Sequence, residues 1–335
     1  MSNLTATTRE LWEGSMVDEV FKKTALFAMF KARRRMSIRG GSSIKYTVKM
    51  ATNESLGQAY FPGEPMTVGS KTIFANPEFK WKYTQQPVRY GIREQIENKG
   101  GKDTAPVDLV KELVKAGHEG ARLFFANAFY AVNTTGSDAG APFQSVVDAL
   151  DITCTPYGGI ARTAASEATN NWWLGATPNG LWTDQDTAAS PSISNFRIWK
   201  DRVRTYGDPA NKLFVVCGSS IFRSFKSQAE SRTEYTREGS ELKYGFDTMV
   251  IDNVEFVCDP YLDILTVGTT DKYLFILDPE TWEFRLNDER AFTFTGFTWQ
   301  GDQAGGVDEY LARIMCTGNL VCKKPNANMF LSNVA

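Results

Sequence analysis

Histidine is almost absent from this sequence, and its cysteines are few and scattered. Among 335 residues there is one histidine, His118, and five cysteines, of which no two form a C-x-x-C pair. Structural zinc sites need clustered cysteine and histidine ligands, so the sequence argues against a metal site. An odd number of dispersed cysteines is also a poor disulfide framework, and we expect reduced thiols.

The motifs that usually mark an active site are absent as well. The sequence contains no G-x-G-x-x-G, no G-x-x-x-x-G-K-[ST] and no G-x-S-x-G. We expect His118 at the surface of a predicted helix, among charged residues, where nothing would make it a general base. Cys217 stands at the end of a predicted strand, where a nucleophile could sit, but His118 is its one candidate base. A carboxylate-only site stays open, and we predict that the chain is not an enzyme.

Neither charge nor hydropathy points to a nucleic acid or a membrane. The 37 basic residues are balanced by 39 acidic ones, and the formal net charge is −2. Proteins that bind nucleic acid specifically usually show a basic excess. No apolar run approaches the ~20 residues of a membrane span, and the N-terminus lacks a signal pattern. We therefore expect a soluble protein, made in the cytoplasm, that tolerates DNA without binding it specifically.

The composition does provide for a folded core. Hydrophobic residues make up 42% and aromatic residues 13% of the chain, and its length favours two sub-domains. Residues 1–37 are interpreted as an N-terminal arm, with an amphipathic helical stretch that ends in a basic run including Arg33, Arg34 and Arg35. Whether this run is a solvated face or a contact with a partner is left open by the sequence.

A long two-stranded flap is predicted over residues 44–83. Apolar and polar residues alternate from Ile44 to Met50, and a second strand runs through Ile73 and Tyr83. The stretch 51–70 between them holds three glycines and two prolines. Linking loops of that length are normally functional or mobile. The same stretch holds several large apolar side chains, which would gain most if a second subunit covered them.

A long helix follows the flap, and the rest of the chain has a mixed α/β pattern. Over 107–133 the apolar residues recur in steps of three and four, with opposite charges on the other side. Further helices are predicted at 193–206 and 219–229, and a buried strand at 213–217. Three turns are predicted from local residue types: Asp252-Asn253, Asp278-Pro279-Glu280 and Gly318-Asn319.

Three segments, taken in order, resemble the tailed-phage major capsid proteins of the Hong Kong 97-type fold. Residues 157–163 (YGGIART), followed by Trp172-Trp173, are similar to a "GGI-x-R-T … WW" segment of one branch of these proteins. Residues 254–260 (VEFVCDP) and 273–277 resemble the family's "x-V-P-V-x-x-D-P … Y-x-L-D" stretch. The last segment, 316–325, is similar to the family's C-terminal strand. Ala161 stands where the family has Asp, so the first segment is given no detailed role.

The resemblance implies an α+β fold divided into five parts. Residues 1–37 would be the N-terminal arm, 38–90 the extended β-hairpin loop, and 91–140 a peripheral domain with the spine helix. Residues 141–282 would be the axial domain, and 283–335 the peripheral-domain strands and the C-terminus.

The function implied by the resemblance is that of a self-assembling icosahedral shell around packaged phage double-stranded DNA, in a virion assembled in the host cytoplasm. The implied partners are copies of the chain in hexamers and pentamers, a scaffolding protein, a portal protein, a possible decoration protein, and DNA bound non-specifically. No cofactor and no membrane are implied. Because Met1 is not followed by a long helical region, we expect the scaffold to be a separate protein.

Six residues are candidates for contacts between subunits: Tyr60, Phe61, Lys71, Arg33, Arg34 and Arg35. Some family members join a flap lysine covalently to a neighbour's asparagine, and Lys71 and Asn287 would be the pair here. We do not expect this cross-link, because the sequence shows no carboxylate placed to assist it. Two other functions remain open: an encapsulin-like storage compartment, which would have a cargo-peptide partner, and a hydrolase whose turnover depends on Cys217.

Overall fold

The computed structural model describes residues 25–32, 36–38, 41–50, 61–63, 69, 72–93, 109–131, 143–151, 156–162, 171–176, 190–231, 247–264, 273–301, 308–332 and 334. The α-helices in this part of the chain are α1 (Ala25–Ala32), α2 (Leu109–Tyr130), α3 (Val146–Leu150), α4 (Ile193–Tyr206), α5 (Ser219–Ser231) and α6 (Pro260–Ile264). The strands are β1 (Met36–Ile38), β2 (Ser43–Lys45), β3 (Val48–Lys49), β4 (Phe74–Ala75), β5 (Glu78–Lys80), β6 (Lys82–Gly91), β7 (Phe214–Cys217), β8 (Thr248–Ile251), β9 (Val254–Cys258), β10 (Leu274–Leu277), β11 (Trp282–Leu286), β12 (Thr293–Phe294), β13 (Thr298–Trp299), β14 (Glu309–Cys322) and β15 (Met329–Leu331).

The first sheet is built around β14. Strand β6 pairs with β14 antiparallel from Gly91 opposite Glu309 to Lys82 opposite Gly318. Strands β11, β12 and β13 also pair with β14, and β1 pairs parallel with β11. Helix α2 packs against β6 so closely that a Cβ at Gly117 would overlap Cγ2 of Val88. The predicted long helix is confirmed, and Gly117, which has no side chain, allows this close approach.

The second sheet has the order β15-β10-β7-β9-β8, with β7 and β9 parallel and the other pairs antiparallel. Every residue of β7 and β10 is buried. Phe214 and Val216 face the core shared with α2, while Val215 faces the core under α4 and α5. A sheet covered on both faces reads as an unbroken apolar run, which is why these strands were recognisable in the sequence.

A short turn links the two sheets. Strand β10 belongs to the second sheet and β11 to the first, so the predicted turn at 278–280 changes sheets and does not close a hairpin. The buried side-chain oxygen of Asn328 accepts hydrogen bonds from the Asp278 N–H and the Trp282 indole N–H, both at 2.8 Å. From there β15 pairs with β10. The C-terminal strand therefore lies in the second sheet and not beside β11 and β14 in the first.

Of the other two predicted turns, one is confirmed and one is wrong. Asp252 and Asn253 have φ of 50° and 63° and join β8 to β9 as a tight hairpin. Gly318 and Asn319 instead lie inside β14. The buried Asn319 amide donates to the Lys80 carbonyl at 3.0 Å, and its oxygen accepts from the Gln144 N–H at 2.9 Å. These hydrogen bonds satisfy the side-chain amide of Asn319, a residue type that otherwise favours a turn.

Part of the predicted N-terminal arm is buried in the core. The described side chains of α1, among them Leu26 and Phe30, are at most 2% exposed. The Phe30 ring lies 6.3 Å from that of Phe129 and 6.5 Å from that of Trp282. The arm interpretation is therefore wrong for 25–32, because this segment is apolar on all described sides. None of the described helices is long and apolar enough to cross a membrane.

Helix α1 begins at a buried carboxyl group. Asp259, which follows β9, is fully buried and accepts three hydrogen bonds: from the Tyr130 hydroxyl at 2.6 Å, the Tyr261 N–H at 3.0 Å and the Ala25 N–H at 3.3 Å. Burial raises the pKa of Asp259 above its ordinary value, although the three hydrogen bonds act in the opposite direction.

The raised pKa of Asp259 predicts a specific dependence of stability on pH. Because the folded chain binds this proton more tightly than the unfolded chain does, stability is lost as pH rises from about 4, the ordinary aspartate pKa, through the raised folded pKa. The variant Asp259→Asn has no such titration. We expect the unfolding free energy of the natural chain minus that of the variant, measured in urea from pH 4 upward, to fall and then level off. A difference that rises with pH would show that the pKa is lowered.

Candidate assembly surface

The described part of the flap is a two-stranded ribbon. Strand β2 pairs antiparallel with β5, and β3 with β4. The Met50 N–H donates to the Ile73 carbonyl at 2.7 Å, which extends the pairing beyond β3 and β4. Lys45 and Glu78, opposite each other on β2 and β5, form an exposed ion pair at 3.1 Å. The described strands of the predicted flap thus pair as a ribbon, and they are shorter than the alternation suggested.

Two tyrosines bind the base of the flap to the end of β14. The Tyr46 ring stacks on Phe79 at 5.8 Å, and Phe79 meets the Tyr157 ring edge-on at 5.0 Å. The Tyr46 hydroxyl donates to the Cys322 carbonyl at 2.8 Å, and the Tyr157 oxygen accepts from the Cys322 N–H at 2.9 Å. Burial raises the pKa of both phenols well above the usual value, so both stay neutral.

The Gly158-Gly159 pair forms the turn that brings Tyr157 into this base. Both glycines have positive φ, 57° and 77°, and Tyr157 and Ile160 exchange two backbone hydrogen bonds of 3.1 Å across them. A Cβ at Gly158 would lie only 2.7 Å from Cζ of Phe79. The buried Trp173 indole donates to the Tyr157 carbonyl at 2.9 Å. The GGI … WW segment is therefore a structural support for the flap.

Arg162, from the same segment, is a helix cap. Its buried guanidinium donates to the carbonyls of Ala149 at 2.7 Å and Asp148 at 2.9 Å, and to that of Asp151 at 3.2 Å. These carbonyls lie at the C-terminal end of α3, where backbone acceptors have no partner within the helix. The guanidinium also lies 4.3 Å from the centre of the Tyr157 ring. The positive charge of Arg162 is therefore engaged by carbonyl groups and a ring of the same chain.

Large apolar side chains are exposed on the flap and on the strand that continues it. Phe61 is 75% exposed, Phe74 60% and Tyr83 72%, whereas Phe79 and Trp81 between them are buried. Other exposed large apolar side chains are distributed over α2, α4 and β13: Leu123, Phe124, Ile198, Tyr206 and Trp299. Single exposed apolar residues are common on any surface. A flap that displays two phenylalanines has more to gain from a partner than most surfaces do.

Of the six candidate contact residues, the structure describes Phe61, and its exposure fits a contact. Tyr60, Lys71, Arg33, Arg34 and Arg35 lie outside the described residues and stay predictions. Asn287, named as a cross-link partner, is half-buried, and its side-chain oxygen accepts from the Glu289 N–H at 3.0 Å.

Sequence reasoning missed the exposure of Phe74 and Tyr83. Strict alternation from Phe79 places Tyr83 on the same face as Trp81. Trp81 and Lys82 are both buried, however, so the alternation slips by one residue between β5 and β6. Tyr83 is thereby turned outward. Nothing in the residue types of Trp81, Lys82 and Tyr83 indicates this slip.

The residues that could have carried chemistry are buried structural residues. His118 is 8% exposed, so the prediction of a surface histidine is wrong. Val114, His118, Ala121 and Phe125 recur at steps of four, three and four on the face of α2 that meets the sheet. Cys217 is completely buried, and burial raises the pKa of its thiol well above the usual value, which opposes a nucleophilic role. Within the described ranges no three His, Cys, Asp or Glu side chains converge as a metal site would require.

A polar cavity of about 400 Å³ opens at the base of the flap, lined by 41–45, Trp81 and Arg285. Its two cationic side chains are already paired, Lys45 with Glu78 at 3.1 Å and Arg285 with Glu283 at 3.2 Å. The Trp81 indole N–H donates to the Gly41 carbonyl at 2.7 Å. The Lys45–Glu78 pair and the Trp81 hydrogen bond hold the base of the flap together, whereas Arg285 and Glu283 pair within β11.

The structure is α+β. It has two sheets that share a core, a flap beside the first sheet and a long helix across that sheet. This arrangement is the Hong Kong 97-type capsid fold. The chain is similar to a chain from the capsid asymmetric unit of cyanophage A-1(L), with a TM-score of 0.64 and 11% identity over 93% of each chain. It is also similar to the SrpI encapsulin of Synechococcus elongatus (TM-score 0.53, 12% identity, 91% of this chain and 87% of that one). A third similar structure is that of Mycobacterium phage Ogopogo (TM-score 0.52, 10% identity, 91% of each chain). No family model and no curated protein matches the sequence.

The two glycines at the base of the flap allow a matched test of how the flap is anchored. Alanine at either position has to adopt a positive φ, at a cost of ~1–2 kcal/mol. A Cβ at Gly158 also overlaps Phe79, while one at Gly159 meets nothing within 4 Å. We expect Gly158→Ala to lower the unfolding free energy in urea by a further ~1–3 kcal/mol relative to Gly159→Ala, the usual cost of overpacking. Equal losses would mean that the turn does not press on Phe79.

Proposed function

We propose that this chain is the major capsid protein of a tailed phage, and that its copies form an icosahedral shell around double-stranded DNA. The observation that carries the proposal is the exposure of Phe61 and Phe74 on the flap of a capsid fold. Burying one large apolar side chain contributes ~1.5–3 kcal/mol. A neighbouring copy is the surface that would collect this gain, once for each subunit of the shell.

In this proposal the first sheet and α2 are the peripheral domain, and the second sheet with α4 and α5 is the axial domain. The extended loop ends near residue 81 and not at 90, because β6 is paired with β14 along its whole length. The axial domain includes β15 from the C-terminus, since β15 pairs with β10. Capsomer contacts then involve the outer faces of both domains and the flap.

The proposed partners are copies of the chain as hexamers and pentamers, a scaffolding protein, a portal protein and a decoration protein. DNA would be held non-specifically inside the virion, after assembly in the host cytoplasm. The net charge of −2 supports enclosure of DNA over tight binding to it. No catalytic role is proposed, because the buried His118 and Cys217 serve the core.

A storage compartment is the second candidate, supported by the similarity to the SrpI encapsulin. The phage capsid is preferred because the cyanophage protein matches with the higher TM-score over more of both chains. The two functions differ in what the shell recruits. A phage shell co-purifies with a portal and packages DNA, whereas a compartment retains a protein through a targeting peptide.

The first prediction from this function is that the purified chain assembles. Expressed alone or with a scaffolding protein from the same genome, it should yield capsomers or closed shells by negative-stain microscopy and light scattering. Particles formed with the portal protein should carry it at a single vertex. A strictly monomeric chain at all concentrations and salts, with scaffold present, would contradict the proposal, and shells that take up a cargo enzyme and no portal would favour the compartment.

The second prediction separates assembly from folding at the flap. Phe61→Ser should leave the melting temperature of the free subunit nearly unchanged, because 75% of the Phe61 surface is exposed and little of it is buried on folding. The same variant should raise the concentration needed for shell formation, by about 10-fold or more, if ~1.5–3 kcal/mol of burial is lost. Phe79→Ser is the matched control: Phe79 is buried, and its loss should lower the melting temperature. Unchanged assembly of Phe61→Ser would exclude this side chain from the contact.

A further inference from the structure

Three segments that are far apart in the sequence meet at the carboxyl group of Asp259. One oxygen accepts from the first residue of α1, Ala25, and from the last residue of α2, Tyr130. The other oxygen accepts from the Tyr261 N–H near the start of α6. Each donor lies at or next to a helix end, where the direction of the helix is set. A single group therefore positions three helices.

The donors to this carboxyl group are neutral, and no cation pairs with it within the described ranges. The other ionisable groups that act on it are Asp263 on α6, which is also acidic, and the thiols of Cys217 and Cys258. A buried carboxylate without a counter-charge is stabilised by its hydrogen bonds alone, so the loss of one donor carries a large penalty. The three hydrogen bonds to Asp259 therefore depend on one another.

Helix α1 needs its contacts with the rest of the chain to remain helical. It has eight residues, and isolated helices shorter than ~12–15 residues are marginal in water. Its Phe30 ring packs against Phe129, the neighbour of Tyr130 on α2. The end of α2 is thus linked to α1 in two ways, directly through the Phe129 ring and indirectly through the shared oxygen of Asp259.

We propose that Asp259 is a latch that couples the docking of α1 to the position of the C-terminal end of α2. If the end of α2 shifts relative to β9 and α6, the oxygen shared by Tyr130 and Ala25 can no longer serve both, and α1 loosens. The coupling is reciprocal, so the release of α1 also frees the end of α2. Insofar as the chain forms a shell, which rests on the function proposed above, the latch lets the N-terminal segment respond to movements of the long helix.

The test is hydrogen exchange of the free full-length chain carrying Tyr130→Phe, followed by mass spectrometry of peptides. Hydrogen bonds to a charged group are strong enough that exchange in 25–32 and 260–264 should accelerate about 10- to 100-fold. Exchange in 193–206, under the far face of the second sheet, should stay as it is. The matched control is Tyr46→Phe, which removes a partly buried tyrosine hydrogen bond, the one to the Cys322 carbonyl.

The latch is supported if Tyr130→Phe accelerates exchange in α1 and Tyr46→Phe does not. It is rejected if α1 is unaffected by Tyr130→Phe, or if the control accelerates α1 to the same extent, since the effect would then be a general loss of stability. Should Tyr130→Phe not fold, Asp259→Asn gives the same readout, because one amide oxygen cannot accept all three hydrogen bonds. The measurement needs no shells, so a failure of assembly leaves its result intact.

Discussion

The first sheet, the flap and the link to the second sheet all depend on the single long strand β14. Residues 309–318 of this strand pair with β6, and 318–322 pair with β11, whose far edge takes up β1. Its last residue, Cys322, binds both tyrosines at the base of the flap through its backbone. A Cβ at Gly318 would lie 2.7 Å from the Arg285 carbonyl, so the pairing requires glycine there. An extended strand with partners on both sides forces distant parts of the chain into register.

Elements whose signal is local could be predicted from the sequence, and elements decided by distant partners could not. The long helix and the turn at Asp252-Asn253 follow from spacing and residue type within a few positions. Gly318-Asn319 has equally strong turn chemistry, yet Lys80 and Gln144 supply the hydrogen bonds that keep Asn319 in a strand. The prediction that His118 is exposed was wrong for a similar reason. Its charged neighbours in the sequence suggested exposure, but its face of the helix packs on the sheet.

The candidate assembly surface was predictable only in part. Phe61 was identified because a glycine- and proline-rich stretch with large apolar residues has little to bury within one subunit. Tyr83 was not, because the slip at Trp81 and Lys82 that turns it outward is imposed where the flap joins the first sheet. The local alternation is the same before and after the slip, so the exposed face of a long strand can be read only from its partners.

The segments that carried the family resemblance hold several of the buried polar and glycine-dependent contacts of the structure. Gly158 allows the turn under Phe79, Arg162 caps α3, and Asp259 joins three helices. Such positions tolerate few residue types, because a Cβ or an unpaired buried charge is costly there. The apolar core around them can change in composition while its volume is kept. A chain built in this way can match a capsid structure at 11% identity over 93% of its length without matching a family model.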